Sequence, residues 1–118
     1  LERDCIKSWK RCLPGYQFKL WNEENFDVNQ YAFTKKAYEA KKYAFVSDVA
    51  RLHAVYNEGG IYLDTDMLLM TGMDSFLTHS FFTAYYKPGK FNGAVFGGEQ
   101  YNQVVKVLLD RYNEIEFD

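Results

Sequence analysis

Two aspartates separated by a single residue, Asp64 and Asp66, follow a short apolar run in the middle of the chain. In an extended strand, side chains two positions apart point to the same side, so these carboxylates are expected to converge. Two ionised carboxylates at close range repel each other, and a divalent cation relieves the repulsion. Mg²⁺ and Mn²⁺ prefer oxygen ligands and often take one or two carboxylates together with substrate phosphates. The pair therefore predicts a Mn²⁺ or Mg²⁺ site with Asp66 and Asp64 as its ligands.

A charged pair, Asp48 and Arg51, precedes this run. Their spacing of three residues gives both side chains the same face of a helix. Such a pair can be a surface ion pair of small energetic value. The residues around it are mostly apolar, however, and a charged pair in these surroundings could line a polar pocket. Arg51 would then offer forked donors to oxygen-rich ligands such as sugar hydroxyls or phosphate.

The predicted elements bring both charged groups to one cleft. Gly59-Gly60 allows the chain to turn sharply from the helix that carries Asp48 and Arg51 into the acidic strand, after a left-handed helix cap. Apolar spacing predicts helices at about residues 1–13, 30–42, 45–58 and 99–114, and strands at 16–21, 61–66, 81–86 and 91–96. This order predicts one α/β domain with a mixed sheet over residues 1–118.

Composition argues against several classes of protein. Hydrophobic residues make up 47% of the chain, as in globular proteins, and 14 basic against 16 acidic residues give a formal charge of −2 without a long basic block. A nucleic-acid partner is therefore not expected. No apolar run reaches the roughly 20 residues of a membrane span, and no signal peptide opens the chain. Cys5 and Cys12 lie about 10.5 Å apart along a predicted helix, too far for a disulfide. We expect a reducing compartment, the cytoplasm or the inner membrane face.

A longer motif surrounds the acidic pair. Ser47-Asp-Val-Ala-Arg51 and Tyr56-Asn-Glu-Gly-Gly-Ile-Tyr-Leu-Asp-Thr-Asp66 resemble the sugar-binding DxD region of a glycosyltransferase family. That family includes bacterial capsular and lipopolysaccharide sugar transferases, yeast-type Golgi mannosyltransferases and relatives of the clostridial glucosylating toxins. The opening is also similar to the family's, in Cys5-Ile-Lys-Ser-Trp-Lys, Leu13-Pro-Gly-Tyr and Leu20-Trp-Asn-Glu-Glu-Asn-Phe26. The resemblance covers about residues 5–100.

The resemblance implies an α/β fold of the GT-A type that lacks the family's first strand. It also implies a polysaccharide-building enzyme that moves a hexose, with retention, from a nucleotide-diphosphate sugar to a glycan or polysaccharide acceptor. A UDP-sugar is the expected donor. Asp64 matches the first acid of the motif, which contacts the ribose and the sugar. Asp66 matches the ligand of the metal and the diphosphate, and both acids are the expected catalytic residues.

Five further residues match positions that bind the donor in the family. Asp48 and Arg51 match the pair that hydrogen-bonds the donor sugar, and Tyr62 matches a tyrosine near the donor. Asn92 and Gly93 resemble a segment beside the sugar pocket. The sequence does not decide whether a retaining reaction would use an enzyme nucleophile or proceed on one face of the sugar.

Two other interpretations remain open at this point. In a haloacid-dehalogenase-like phosphohydrolase, Asp64 would be a nucleophile and Asp66 a general acid and base. Against it, position 68 is Leu where that family usually has Thr or Val, and little sequence follows for the downstream lysine and acids. Alternatively, the chain is a fragment that binds a nucleotide-sugar without catalysing transfer.

Overall fold

Helices and strands follow one another in the predicted order, with one exception at residues 16–21. A computed structural model describes residues 2–87, 90–115 and 117, with the side chains of 85–87 and 90–92 left undescribed. The helices are α1 (Glu2–Cys12), α2 (Ala32–Glu39), α3 (Tyr43–Glu58) and α4 (Gln103–Glu114). The strands are β1 (Gly60–Leu63), β2 (Phe81–Lys87) and β3 (Lys90–Gly98). Short 3-10 helices occupy Val28–Gln30 and Asp74–Thr78.

The sheet has the order β1-β3-β2, and both of its pairings are antiparallel. The predicted mixed sheet is therefore wrong for the part of the chain that the structure describes. β1 and β2 do run in the same direction, but β3 folds back between them as a hairpin partner of β2. Each strand consequently has only an antiparallel neighbour. Gly60 pairs with Gly98 and Leu63 with Val95, so β1 ends beside the middle of β3.

The strand predicted at residues 16–21 is not formed. Its alternating pattern is real, but Phe18 and Leu20 are both exposed, so the alternation does not separate a buried face from a solvated one. Instead Phe18 stacks near Trp9 of α1, and Lys19 pairs with Glu58 at the end of α3 at 2.7 Å. A strand also needs a neighbour whose backbone groups pair with its own, and a sequence pattern cannot supply that neighbour.

The main core lies between α3, its neighbouring helices and the sheet. One face of α3 is buried through Val46, Val49, Leu52 and Val55. Its partners are side chains of the Phe26 loop, α2, β3 and α4, namely Phe26, Phe33, Ala37, Phe96, Val105 and Leu109. Burial of this apolar surface is the main term that stabilises the fold. No described helix has both the length and the apolar character to cross a bilayer.

A smaller second cluster attaches α1 to the loop after β1. Leu13, Leu69 and Met73 are buried together there. The buried Ser8 hydroxyl donates to the carbonyl of Cys5 at 2.6 Å and accepts from the backbone N–H of Leu69 at 2.9 Å. Cys5 and Cys12 are both free, as their spacing predicts. α1 therefore holds the loop that follows the acidic motif.

The turn from α3 into β1 requires glycine. Gly59 has φ 73° and ψ 172°, and Gly60 has φ 112°. The predicted sharp turn is confirmed, but the ψ of Gly59 is extended rather than left-handed helical, so the predicted form of the cap is wrong. A Cβ at Gly59 would also lie 2.9 Å from the backbone nitrogen of Gln100. These glycines fix how α3 is followed by the acidic motif.

α4 begins four residues later than predicted, at Gln103 instead of position 99. Tyr101 has φ 64°, which is incompatible with a continuing helix, and Asn102 then caps the helix. The Asn102 side-chain oxygen accepts from the backbone N–H groups of Val104 at 2.9 Å and Val105 at 3.3 Å. A capping side chain of this kind satisfies helix donors that have no partner within the helix.

Candidate functional site

The candidate site lies where α3, the end of β1 and the middle of β3 meet. The acidic strand predicted at 61–66 is shorter than expected and ends at Leu63. The backbone N–H of Asp64 still donates to the carbonyl of Ala94 in β3 at 2.8 Å. The chain then turns, and the backbone N–H of Met67 donates to the backbone carbonyl of Asp64 at 3.0 Å. Strand periodicity therefore does not apply to Asp64 and Asp66, and it cannot be used to argue that they converge.

Arg51 is the centre of the site. Its Nη1 donates to the Gly93 carbonyl at 2.8 Å and its Nε to the Ser47 carbonyl at 3.2 Å. Its Nη2 lies 3.6 Å from Asp48 Oδ1 and 3.5 Å from Asp64 Oδ1. The Arg51 side chain is only 16% exposed. All three guanidinium nitrogens thus contact groups of the protein, so Arg51 joins α3 to the sheet and orients two carboxylates more than it offers a free fork to a ligand.

Tyr62 completes this arrangement from β1. Its hydroxyl donates to Asp64 Oδ1 at 2.6 Å, and the Arg51 guanidinium carbon lies 4.9 Å from the centre of its ring. Burial, followed by the hydrogen bond to Asp64, raises the pKa of Tyr62. The phenol therefore keeps its proton and remains a hydrogen-bond donor. A cation over an aromatic face adds a modest electrostatic attraction.

The Asp48 carboxylate is affected by opposing influences. Burial raises its pKa, the nearby Arg51 lowers it, and Asp64 raises it again. The carboxylate has therefore lost part of its hydration, with the Arg51 guanidinium 3.6 Å away as its charge partner. Such a group is a strong acceptor for a hydroxyl of a bound ligand.

β3 supplies the third side of the site through Gly93. A Cβ at this position would lie 3.2 Å from Arg51 Nη1, so a larger residue would crowd the guanidinium and require it to shift slightly. Asn92 pairs through its backbone with Ala84 of β2. Its side chain lies outside the described atoms, so the expected role of Asn92 stays a prediction.

Asp66 stands apart from the group formed by Asp48, Arg51, Tyr62, Asp64 and Gly93, which we call the Arg51 cluster. It is exposed, and its carboxylate has no hydrogen bond or ion pair with the part of the chain that the structure describes. The Asp64 side chain is 31% exposed, and its contacts with Tyr62 and Arg51 both involve Oδ1. Among residues 2–87, 90–115 and 117 no three His, Cys, Asp or Glu side chains group together as a metal site. Two carboxylates at most are therefore available here, which suits Mg²⁺ or Mn²⁺ completed by water and phosphate.

A cleft of about 400 Å³ opens beside Asp48, Arg51 and Gly93. Most of its lining comes from residues that sequence reasoning did not assign to a site. For the members on α4, the signal in the sequence is a helical spacing of apolar residues, which predicted a helix but no site. These lining residues are Leu52, Phe81, Thr83, Phe96, Val104, Leu108 and Tyr112.

Replacing Tyr62 with Phe is expected to lower the free energy of unfolding by about 1 kcal/mol, because Asp64 loses a hydrogen bond while the ring is kept. Urea unfolding would measure the change. Tyr56→Phe is the matched control, since the half-buried Tyr56 hydroxyl has no hydrogen bond to the described residues. Equal destabilisation by the two substitutions would show that the Tyr62 hydroxyl adds nothing to the site.

Comparison with known proteins relates this chain to a protein family. The chain has no significant match among curated proteins or among solved structures. Residues 1–83 match the family described as a glycosyltransferase sugar-binding region containing a DXD motif. The match spans α1, α3 and the acidic motif, and so includes four members of the Arg51 cluster: Asp48, Arg51, Tyr62 and Asp64. On this match, the chain belongs to the family of glycosyltransferase sugar-binding regions that contain a DXD motif.

Proposed function

We propose that this chain is a single donor-binding domain that transfers a hexose from a nucleotide-diphosphate sugar to a glycan or polysaccharide acceptor. UDP-sugars are the proposed donors, and the proposed transfer retains the anomeric configuration. One observation carries the proposal: in a member of a glycosyltransferase family, Arg51 links Asp48 on α3 with Asp64 after β1 at the edge of a cleft. A glycosyltransferase-type role follows from the family alone.

Asp66 and Asp64 are the residues proposed to hold a divalent cation. Asp66 is exposed, and Asp64 Oδ2 is not used in the contacts with Tyr62 and Arg51. These are the hard oxygen donors that Mn²⁺ and Mg²⁺ prefer. When bound, such a cation neutralises the negative charge that develops on the departing diphosphate.

The residues of the Arg51 cluster are proposed to position the donor sugar. Asp48 accepts a hydrogen bond from a sugar hydroxyl, and Arg51 keeps the Asp48 and Asp64 carboxylates in fixed positions. Tyr62 holds Asp64 through its hydroxyl, so that the carboxylate meets the ribose and sugar with one orientation. Groups that are already in place lower the barrier because less reorganisation is needed during the reaction.

Binding of UDP and GDP to the full chain, with Mn²⁺ and with EDTA, tests the donor site. Calorimetry is expected to show that UDP binds only in the presence of Mn²⁺, and that GDP binds more weakly than UDP. Release of UDP from a panel of UDP-hexoses, in the presence of oligosaccharides, then tests catalysis. Binding without release would favour the non-catalytic interpretation. Phosphate release from a phosphomonoester, with no nucleotide binding, would favour the phosphohydrolase.

A further inference from the structure

The cleft beside Arg51 is polar on one side only. Asp48 and Arg51 line it where they face each other at 3.6 Å, and the rest of the lining is chiefly apolar. Leu52 and Phe96, which also line it, are buried. On α4, Val104 and Leu108 keep nearly half of their surfaces exposed. A cleft with this distribution suits a molecule that is polar at one end and apolar at the other.

The apolar part of the cleft is poorly suited to a second sugar ring. A hexose carries hydroxyl groups around its ring, and each one that is buried without a partner costs free energy. Leu52, Phe81 and Leu108 offer no hydrogen-bonding side chain. An alkyl or aryl group, in contrast, gains free energy in proportion to the apolar surface that it buries.

On the polar side of the cleft, Asp48 can accept a hydrogen bond from a ligand. Burial raises the pKa of Asp48, and burial together with the negative Asp48 raises the pKa of Tyr112. Asp48 is therefore a partly dehydrated acceptor, and Tyr112 keeps its phenolic proton. A ligand hydroxyl placed against Asp48 would satisfy the carboxylate, whereas an anionic group would be repelled by it.

We propose that the cleft binds the alkyl or aryl part of an acceptor whose hydroxyl group faces Asp48. The acceptor of this chain is then a sugar or glycan carried on an apolar aglycone. This inference rests on the proposed function, because Asp48 and Arg51 line the cleft and also belong to the proposed donor site. The Asp48 carboxylate has two oxygens and can accept from the donor sugar and from the acceptor hydroxyl together. A molecule held in the cleft is for that reason held beside the donor.

Alkyl β-glucosides of increasing chain length, from methyl to octyl and below their micelle concentrations, test the cleft directly. Their binding to the full chain can be measured by calorimetry. The affinity is expected to rise about fourfold for each methylene group that the cleft buries. An affinity that does not change with chain length would overturn the inference.

Two substitutions on α4 test whether the alkyl chain binds in the cleft. Leu108→Asp places a charge in the cleft, at a position that is 45% exposed and so tolerates the change. Val107→Asp is the matched control, on the same helix but 67% exposed and outside the cleft lining. Leu108→Asp is expected to abolish the dependence on chain length, and Val107→Asp to preserve it. The same loss in both variants would overturn the inference.

Mn²⁺-dependent UDP binding, measured on the same samples, separates the two proposals. UDP binding in wild type without any preference for longer alkyl chains would leave the donor site standing and overturn the acceptor assignment. Chain-length dependence without UDP binding would count against the proposed function, and the assignment of the cleft to an acceptor would be overturned with it. A change in mass by sedimentation in Leu108→Asp alone would point to a second copy of the chain as the occupant, which also contradicts the inference.

Discussion

Replacing Asp66 with Asn is expected to weaken Mn²⁺-dependent UDP binding by about 100-fold or more. Loss of a group that only supports a metal ligand commonly costs 10–100-fold in metal affinity, and a direct ligand is expected to cost at least as much. Asp66 is exposed and has no side-chain partner in the described part of the chain, so the substitution should not destabilise the fold. Calorimetry with UDP, in Mn²⁺ and in EDTA, would measure the loss.

The matched control for this substitution is Asp27→Asn. Asp27 caps the short helix Val28–Gln30, accepting from the backbone N–H of Asn29 at 2.9 Å, and Asn can cap in the same way. This variant also removes one negative charge but should bind UDP as the wild type does. If Asp66→Asn bound UDP with unchanged affinity and unchanged metal dependence, Asp66 would not be a metal ligand.

Replacing Arg51 with Met is expected to reduce hexose transfer by about 10²–10³-fold, the usual cost of losing a preorganised electrostatic contact. The substitution removes two hydrogen bonds to carbonyl groups and leaves Asp48 and Asp64 without their shared cation. The free energy of unfolding should also fall, by about 2 kcal/mol. That is less than for a fully buried pair, because both carboxylates remain partly exposed to solvent. Initial rates and urea unfolding would measure the two effects.

Arg111→Met is the control for this second substitution. Arg111 is 71% exposed and pairs with Glu114 at 3.3 Å on the surface of α4. Its loss should change neither transfer nor stability measurably, since exposed pairs contribute little. Arg51→Lys should fall between wild type and Arg51→Met, because a single ammonium group cannot reach all the partners of a planar guanidinium. Full activity in Arg51→Met would remove Arg51 from the proposed mechanism.

The site contains a close approach between the Arg51 side chain and the backbone of Gly93. The Arg51 guanidinium donates to the Gly93 carbonyl, a contact between residues far apart in the sequence, and a Cβ at residue 93 would lie only 3.2 Å from Nη1. The same guanidinium lies over the ring of Tyr62. The cluster thereby couples α3 to two strands, and a substitution in any one of them is expected to disturb the two carboxylates.

Local sequence determined much of this protein. The apolar spacing from residue 45 to 58 defined α3, and the three-residue spacing of Asp48 and Arg51 placed them on one face of it. Gly59-Gly60 defined the turn into β1, because both positions have positive φ values. The motif itself identified the family, and residues 1–83 confirm it. These features depend on neighbours a few positions away, which is the range over which residue type and spacing act.

Contacts between distant segments decided the rest. The alternating residues at 16–21 could not form a strand without a partner strand. Because β3 lies between β1 and β2, neither of these two strands has a parallel neighbour. The apolar positions of α4 could be recognised, but the sequence did not show that Val105 would be buried while Leu108 would line a cleft. Periodicity shows which residues share a face, whereas packing alone decides what that face meets. For the same reason, the sequence indicated Arg51 as a ligand contact, and only the tertiary structure showed that its guanidinium contacts two carbonyl groups and two carboxylates of the protein.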